Sequence, residues 1–311
     1  MKVLLAGATG AIGQPLTRQL QEAGHDVIGL TRTAGGATAL SAAGVVPVVA
    51  DAMDRSALLK ELEGLRADAV IHELTALRKP PARHSGMAQT DRLRTVGTEN
   101  LLIAARQVGA TRFLTQSIVL GYGYTDHQDR ILGEQAPFGQ PDSGRSNPHV
   151  KAMQRNEHLV RKAGDLEGIA LRYGLFYGAD VEVVRRLLAQ RRLPIPAKVD
   201  NPIPWVHIED AAAATVAALE HGRAGAAYNV VDDDTTSWGR LFTDMAAVLG
   251  TPAPRRMPSW LIRAAAPYVA AMILDTSMRV SNDKAKSELH WSPRYPTHLD
   301  GLESLASGHA A

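Results

Sequence analysis

Residues 3–20 read VLLAGATGAIGQPLTRQL and combine a strand, a turn and a helix. The apolar run at the start predicts a buried strand, and the amphipathic run from Ile12 predicts a helix. Gly7 suits the tight turn between them, Gly10 leaves room for a pyrophosphate, and Gly13 allows the helix to pack on the strand. The stretch therefore predicts a Rossmann fold that binds a dinucleotide at its first turn.

The start of that helix supplies the groups that hold the phosphates. A helix N-terminus has free N–H groups and a partial positive charge. Thr9, Ala11 and Ile12 are therefore predicted to contact the pyrophosphate together with the glycines.

The end of the second predicted strand indicates which dinucleotide binds. An acidic residue at this point hydrogen-bonds the ribose 2′-hydroxyl of NAD, but residues 29–33 read GLTRT. Thr31 and Arg32 offer a hydroxyl and a guanidinium that suit a 2′-phosphate, so we expect NADP (NADPH). Asp51 and Ala52 follow the third strand and are also predicted to bind the cofactor. Asp51 either accepts from the adenine amino group or caps a helix.

The remaining pattern predicts an α/β fold: a doubly wound parallel sheet, or Rossmann fold, with a smaller, mainly helical substrate lobe. Residues 1–172 form the predicted dinucleotide-binding domain and residues 173–311 the lobe. Strands near 204–208 and 228–231 are expected to return to the main sheet. The other predicted strands are 3–6, 27–30, 45–49, 69–72, 112–116 and 169–172, and the predicted helices are 12–23, 56–62, 95–108, 153–163, 181–190, 209–220, 237–249 and 261–274.

Composition excludes several classes of protein. A formal net charge of +2 with scattered basic residues gives no basic stripe, so no nucleic-acid partner is expected. The chain has no cysteine, which excludes disulfides and Cys nucleophiles. No secretion signal precedes the first strand, and the longest apolar stretch, residues 260–274, is interrupted by Arg263 and Pro267. We therefore expect a cytoplasmic protein with no membrane partner.

Six segments, in order, resemble the extended short-chain dehydrogenase/reductase superfamily, especially its atypical, epimerase/dehydratase-like members. They are GATGAIG (7–13), VIHELTA (70–76), VGTENLLIAARQVGATRFL (96–114), LRYGLFYG (171–178), WVHIEDAA (205–212) and YNVVDDD (228–234). The resemblance implies that Leu74 and Thr75 lie beside the cofactor's ribose. It also implies that Tyr173, Gly174 and Leu175 lie near the nicotinamide.

The acid–base pair of that family is missing from this sequence. The pair is a Tyr with a Lys four residues later, and the Lys lowers the pKa of the Tyr. With Glu157 aligned to the acidic residue that follows the pair, His149 stands at the Tyr position and Met153 at the Lys position. Ser117, in QSIVLGYGY after the fifth strand, resembles the atypical branch and is expected to hydrogen-bond a substrate oxygen.

Three interpretations of the missing pair stay open. In the first, His149 replaces Tyr as the proton donor, because an imidazole titrates near neutrality. In the second, Tyr122 or Tyr124 supplies a phenol. In the third, no acid–base group is present and the protein binds the cofactor without turning over a substrate.

The expected substrate is a small, fairly apolar metabolite. Trp205, Trp260, Tyr268 and Met272 fall where the family builds its substrate pocket, and they favour a carbonyl compound or enone over a nucleotide sugar. The leading hypothesis is an NADP-dependent oxidoreductase. The alternatives are an epimerase or dehydratase acting on a sugar-like substrate and a non-catalytic NADP(H)-sensing protein.

Two further expectations concern metals and assembly. The adjacent His72 and Glu73 lack a third ligand, so no metal site is expected. The resemblance implies a homodimer through the helices predicted at 95–108 and 153–163.

Overall fold

The structure is a computed structural model that describes residues 1–77, 81–139 and 144–307. Over these ranges its strands are β1 (Lys2–Ala6), β2 (Asp26–Thr31), β3 (Val46–Val49), β4 (Ala69–His72), β5 (Arg112–Ile118), β6 (Asp126–Leu132), β7 (Glu167–Tyr173), β8 (Leu175–Tyr177), β9 (Ile195–Pro196), β10 (Pro202–Ile203), β11 (Trp205–His207), β12 (Ala227–Val230), β13 (Thr236–Ser237), β14 (Arg256–Met257) and β15 (Ser277–Val280). Its α-helices are α1 (Gly13–Glu22), α2 (Ala34–Ala42), α3 (Arg55–Glu61), α4 (Ala88–Arg92), α5 (Thr98–Val108), α6 (Asn147–Arg161), α7 (Val181–Ala189), α8 (Ile208–His221), α9 (Trp238–Val248), α10 (Ser259–Ala265), α11 (Pro267–Ala270), α12 (Asp283–Leu289) and α13 (His298–Ser307). Short 3₁₀ or π turns occupy His84–Met87, Leu93–Gly97, Val119–Tyr122 and Ala271–Asp275. None of the helices in these ranges is long and apolar enough to cross a membrane.

The main sheet has, within the described ranges, seven strands in the order β12-β7-β5-β4-β1-β2-β3, and all neighbours are parallel. Val3 and Leu5 of β1 face a core built with α1, α8 and α12. Leu4 and Ala6 face a second core built with α3, α5 and α6, because successive side chains of a strand point to opposite faces. The predicted doubly wound α/β fold is confirmed.

The two outer strands of the sheet differ in how their free side is occupied. β3 contains Pro47, whose nitrogen has no hydrogen to donate. On β12 the backbone N–H of Asn229 donates to Glu134 Oε1 at 2.8 Å. On the same strand the carbonyl of Ala227 accepts from Lys284 Nζ at 2.8 Å. Side chains thus satisfy backbone groups of β12 that do not face β7.

The smaller lobe takes most of the chain after β7, apart from β12, α8 and α12, which belong to the main sheet and its core, and it is mainly helical. Four two-stranded sheets in the described residues pair β6 with β15, β8 with β11, β9 with β14 and β10 with β13. The strand expected near 228–231 is β12, which pairs with β7. The strand expected near 204–208 is β11, and its predicted return to the main sheet is wrong. β11 pairs with β8 instead, because β12 and β5 occupy both sides of β7.

Several helices differ from the sequence expectation: α4, α12 and α13 were not predicted, and α6 begins at Asn147 instead of 153. The single helix expected over 261–274 is divided into α10, α11 and the π turn at Ala271–Asp275, because Pro267 cannot extend the hydrogen bonding of α10. Helix α2 was not expected, because two of its first three residues are glycines, which weaken a helical pattern. Thr33 caps α2 by accepting from the N–H of Gly36 at 3.1 Å.

The helices that the resemblance assigns to a dimer interface correspond to α5, preceded by the π turn at Leu93–Gly97, and to α6, which begins at Asn147. The two helices pack on the same face of the main sheet. The homodimer itself stays a prediction.

A buried ion pair joins α6 to β7. Arg172 is 2% exposed and Glu157 is 3% exposed. The guanidinium donates through Nε and Nη2 to the two carboxylate oxygens, at 2.9 and 2.7 Å. It also donates to Tyr122 Oη at 2.9 Å and lies 3.8 Å from the ring centroid of Phe138. Such a pair holds two elements in one arrangement, and removing one partner leaves the other charge buried.

We expect Arg172→Ala to lower the free energy of unfolding by about 3–5 kcal/mol, because it strands the Glu157 carboxylate in the core. Urea unfolding followed by circular dichroism measures the change. Arg155→Ala is the matched control, because Arg155 pairs with Glu99 at 2.8 Å on the surface and its loss should cost less than about 1 kcal/mol. Equal effects of the two substitutions would contradict the assignment of Arg172 as an anchor.

Candidate functional site

A cleft opens at the carboxyl edge of the main sheet, at the point between β1 and β4 where the strand order changes direction. Ligands bind at this position in doubly wound sheets. The cavity has a volume of about 420 Å³. Of the residues predicted to hold the cofactor, the cleft is lined by Gly7, Thr9, Gly10, Ala11, Ile12, Thr31, Arg32, Asp51, Ala52, Leu74, Thr75, Tyr173, Gly174 and Leu175.

The glycine turn after β1 has the geometry of a phosphate cradle. Gly7 has a φ of +105°, a conformation that favours glycine, and its carbonyl accepts from the N–H of Gly10 at 2.9 Å. A Cβ at Gly10 would meet that carbonyl oxygen at 3.1 Å and nothing else nearby. Gly13 lies behind the turn, where a Cβ would overlap the Gly7 oxygen and the backbone of Ala8. Gly10 thus keeps the cleft open, while Gly13 lets α1 pack closely.

The N-terminus of α1 points its free groups at this turn. Ile12 is the N-cap residue and makes no side-chain cap, and the first turn of α1 contains no acidic residue. The N–H groups and the helix dipole are therefore available to an anion. These features fit the pyrophosphate of a dinucleotide.

The far end of the cleft, beyond β2 and β3, carries a positive charge. Arg32 is exposed and Thr31 is buried, and both line the cleft. The N-terminus of α2 begins immediately after Arg32 and has no acidic residue in its first turn. Asp51 accepts from the N–H of Met53 at 2.9 Å. The cap of α3 is Asp54, so the alternative role of Asp51 as a helix cap is wrong.

A buried carboxyl group, which the sequence reading did not assign to the site, lies in the middle of the cleft. Glu73 lines the cleft, is 5% exposed, and has no hydrogen-bond partner for Oε2 among the described residues. Its Oε1 lies 3.0 Å from Tyr173 Oη, which lies 2.7 Å from Thr215 Oγ1. Thr215 donates its own proton to the carbonyl of Ala211 at 2.8 Å.

The protonation of Glu73 follows from its burial. Tyr173 Oη donates to Glu73 Oε1, and Glu73 Oε2 has no hydrogen-bond partner among the described residues. Burial raises the pKa of Glu73 to about 8, and the hydrogen bond from Tyr173 only partly opposes this rise. A carboxyl group with this pKa is mostly protonated at neutral pH.

The neighbouring His72 is also uncharged. Its Nδ1 accepts from the N–H of Leu74 at 3.2 Å, and burial lowers the pKa of His72 to about 4. Among the described residues, no group of three or more His, Cys, Asp and Glu side chains is placed to hold a metal ion.

Ser117 is the predicted catalytic residue that the cleft contains. It lies near the end of β5, is 3% exposed, and its Oγ has no hydrogen-bond partner among the described residues. Neighbouring Gln116 also lines the cleft and donates to the carbonyl of Leu74 at 2.8 Å. A buried hydroxyl without a partner is costly unless a ligand uses it. Ser117 is therefore available to a bound oxygen atom.

His149 lies outside the cleft wall, in a buried cluster. Its Nδ1 lies 2.6 Å from Asp91 Oδ2, and its Nε2 lies 3.1 Å from His84 Nδ1. The two imidazole rings are stacked, and Tyr268 packs its edge against both. The ring of His149 thus has both nitrogens occupied.

The two tyrosines that were considered as proton donors also have structural partners. Tyr122 Oη donates to Asn229 Oδ1 at 2.8 Å and accepts from Arg172 at 2.9 Å. Tyr124 Oη lies 3.1 Å from Tyr268 Oη. Burial raises the pKa of both Tyr122 and Tyr124 above the ordinary value. Neither residue lines the cleft.

Arg94 is a second cleft residue that the sequence reading missed. It lies in the π turn before α5, is 5% exposed, and lines the cleft. In the sequence, Arg94 is a charged residue just before the predicted helix that contains VGTENLL. A charge at such a position does not distinguish a buried arginine from a solvated one.

The aromatic residues expected to make the pocket apolar do not line it. Trp205 packs in the core of the lobe, Trp260 is 70% exposed, and Tyr268 and Met272 belong to another buried cluster. The cleft owes its apolar walls to other side chains, which include Leu77, Leu93, Ile118, Leu175 and Phe176.

The fold and the phosphate turn define a Rossmann-type dinucleotide-binding protein. Residues 3–231 match the model of the NAD dependent epimerase/dehydratase family. The chain belongs to this family, and the resemblance to atypical extended short-chain dehydrogenase/reductases is confirmed.

Two curated relatives carry the names of reductases. The chain is 38% identical to a 3-diazoavenalumate denitrifying reductase of a Streptomyces species, over 97% of this chain and 99% of the relative. It is 28% identical to a 2-alkyl-3-oxoalkanoate reductase of Stenotrophomonas maltophilia, over 81% of this chain and 77% of the relative. The crystal structure of the human epimerase family protein SDR39U1 with NADPH has the same fold, with a TM-score of 0.76 and 19% identity over 99% of this chain and 99% of that one.

The protonated state of Glu73 predicts how stability depends on pH. Because the pKa rises from 4.5 to about 8 on folding, the native state binds more protons between these values, and the free energy of unfolding falls as pH rises through them. Glu73→Gln removes this penalty. The free energy of unfolding of the Glu73→Gln variant, relative to that of the unmodified protein, should therefore increase by a few kcal/mol between pH 5.5 and pH 8.5.

Urea unfolding at the two pH values measures this gain. Glu63→Gln is the control, because Glu63 is exposed and its substitution should leave the pH dependence unchanged. A Glu73→Gln protein whose pH dependence matches that of the unmodified chain would mean that Glu73 is ionised in the folded state.

Proposed function

We propose that this protein is an NADPH-dependent reductase that delivers hydride to a carbonyl or a conjugated double bond of a small, largely apolar metabolite. The observation that carries the proposal is the unpartnered Ser117 hydroxyl in the same cleft as the glycine turn. The reductase names of two relatives support the reaction class.

NADP is proposed rather than NAD because the far end of the cleft is suited to an extra phosphate. Arg32 and the N-terminus of α2 lie where the 2′-phosphate would bind, and both attract anions. The fold neighbour with NADPH is consistent with this choice. The cofactor supplies the hydride when it is bound.

The side chains of this protein bind and orient the substrate. Ser117 donates a hydrogen bond to the substrate atom that becomes negative as hydride arrives, which stabilises that charge. The proton that completes the reduction comes from the protonated Glu73, which lines the same cleft, or from solvent. Apolar side chains such as Ile118 and Phe176 hold the body of the substrate and exclude solvent.

We propose that His149 and Tyr122 do not touch the substrate and instead hold other residues in position. Both are held in buried networks, His149 by Asp91 and His84, and Tyr122 by Arg172 and Asn229. We therefore propose Ser117 as the catalytic residue that touches the substrate, with His149 as a positioning residue for Asp91.

The two alternative functions have less support. An epimerase or dehydratase acting on a sugar-like substrate needs more polar contacts than the apolar walls of this cleft offer. An NADP(H)-sensing protein would bind the cofactor and show no turnover with any carbonyl compound. The turnover assay described below distinguishes such a sensor from a reductase.

Arg32→Ala should weaken NADPH binding by about 1.5–3 kcal/mol, the scale of a hydrogen bond to a charged group, and leave NADH binding almost unchanged. Fluorescence titration of the unmodified and variant proteins with both cofactors measures this. Lys60→Ala, at an exposed basic residue of α3, is the control. Equal affinity of the unmodified protein for NADPH and NADH would refute the cofactor assignment.

Ser117→Ala should lower kcat/KM about 100-fold, the effect of losing one hydrogen bond to developing negative charge. The dissociation constant of NADPH should not change. The assay follows NADPH oxidation with a panel of 3-oxo acids, aryl ketones and enones. Ser56→Ala, at an exposed residue, should match the unmodified protein, and full activity of Ser117→Ala would remove Ser117 from the reaction.

A further inference from the structure

A buried arginine in the wall of the cleft has donors without acceptors. Arg94 is buried, and only 5% of its surface is exposed. Its Nε and Nη1 are enclosed and have no hydrogen-bond partner among the described residues. A guanidinium has five N–H donors and does not lose its charge, so burying it without acceptors is unfavourable. This arginine therefore needs an acceptor that the described residues do not supply.

The carboxylate closest to Arg94 is engaged elsewhere. Asp91 Oδ1 lies 3.8 Å from Arg94 Nη1, beyond hydrogen-bond distance, and has no hydrogen-bond partner of its own. The other oxygen, Oδ2, is held by His149 Nδ1 at 2.6 Å. His149 is in turn fixed by His84 at 3.1 Å. Asp91 thus forms a long ion pair with Arg94 and accepts no hydrogen bond from its guanidinium.

Arg94 lies at the end of the cleft where the reaction is proposed to occur. The carbonyl of Leu93, next to it in the chain, lies 3.4 Å from His72 Nε2 at the end of β4. Tyr124, which follows β5 and Ser117, lies within reach of the Arg94 charge, which opposes the rise that burial causes in the pKa of Tyr124. Arg94 therefore follows a residue that contacts the end of β4, and it lines the same cleft as Ser117.

Charge in this half of the cleft is one-sided. The ionisable residues among the described lining are Arg32, Asp51, Glu73, Arg94 and Tyr173. Arg32 and Asp51 follow β2 and β3, at the opposite end. Glu73 is protonated and Tyr173 is neutral, so Arg94 is the charged residue of the lining on this side, with Asp91 behind it as an ion-pair partner at 3.8 Å.

We infer that the substrate is a carboxylic acid whose carboxylate binds Arg94 while its reacting atom lies at Ser117. A carboxylate offers two acceptor oxygens to the fork of the guanidinium, which is the pairing that Arg makes best. The apolar walls formed by Leu77, Leu93 and Ile118 fit the chain or ring of such an acid. This inference rests on the proposed function, because it names the substrate class of the same cleft.

The test uses cinnamate and cinnamamide, which have nearly the same shape and differ in charge. Each is titrated by calorimetry into the protein saturated with NADP⁺. We expect cinnamate to bind about 10- to 100-fold more tightly than cinnamamide, the range for a hydrogen-bonded charge. Arg94→Gln should abolish the difference by weakening cinnamate alone, and Arg94→Lys should keep part of it.

Two controls separate the subsite from folding. The dissociation constant of NADP⁺ should be unchanged in the Arg94 variants. Arg92→Gln, two residues away and exposed, should retain the preference for cinnamate. If Arg94→Gln does not fold, the ratio of cinnamate affinity to cinnamamide affinity still tests the inference. It is measured in the unmodified protein and in the Arg94→Lys variant.

Three results would overturn the inference: equal binding of acid and amide, an Arg94→Gln protein that holds NADP⁺ and keeps the preference, or binding of neither probe by protein that holds NADP⁺. If the protein reduces neutral ketones with no preference for acids, the proposed reductase function stands and the carboxylate subsite is wrong. If it binds acids selectively but oxidises NADPH with no member of the panel, the subsite stands and the reductase function is wrong.

Discussion

The packing of α1 against the end of β1 determines where every part of the cleft lies. Gly13 stands so close to Gly7 and Ala8 that any side chain would force the helix away from the strand. With α1 fixed there, its N-terminus faces the carboxyl edge of the sheet, and β2 and β4 leave on opposite sides of β1. The cleft is the gap between the ends of β2 and β4. The contact between α1 and β1 therefore helps to set the positions of the glycine turn, Arg32 and Ser117.

Helix α6 contributes buried polar side chains to networks that lie outside the cleft lining. Its first turns place His149 against Asp91. The same helix uses Glu157 to anchor Arg172, so two positions on one helix face stabilise the fold. Ser117 and Arg94, which line the cleft, can bind negative charge but are poor proton donors. Glu73 lines the same cleft and is protonated, so it can supply a proton.

The sequence predicted those features that depend on short-range pattern. The strand, glycine turn and helix over residues 3–20, and the chain of parallel strands after them, follow from spacing and apolar periodicity alone. Side-chain positions at the ends of β1, β2 and β4 could also be anticipated, because the edge of a parallel sheet gathers the residues that follow its strands.

Features that depend on long-range competition could not be predicted in this way. β11 pairs with β8 only because β12 and β5 already flank β7, which no local pattern reveals. Whether His149 faces a ligand depends on an aspartate 58 residues away in the chain. The protonation of Glu73 depends on its burial among residues from distant parts of the chain, such as Tyr173, which is 100 residues away. Helix α2 was hidden by its glycines, although its cap at Thr33 is a recognisable signal.

The outer strands of the main sheet constrain how copies of this chain meet. A strand added from another molecule needs free donors and acceptors along the edge it joins. On β12 the outward amide of Asn229 and the outward carbonyl of Ala227 are already bound by Glu134 and Lys284, and on β3 Pro47 offers no donor. The main sheet is therefore closed to extension at β12 and interrupted at β3.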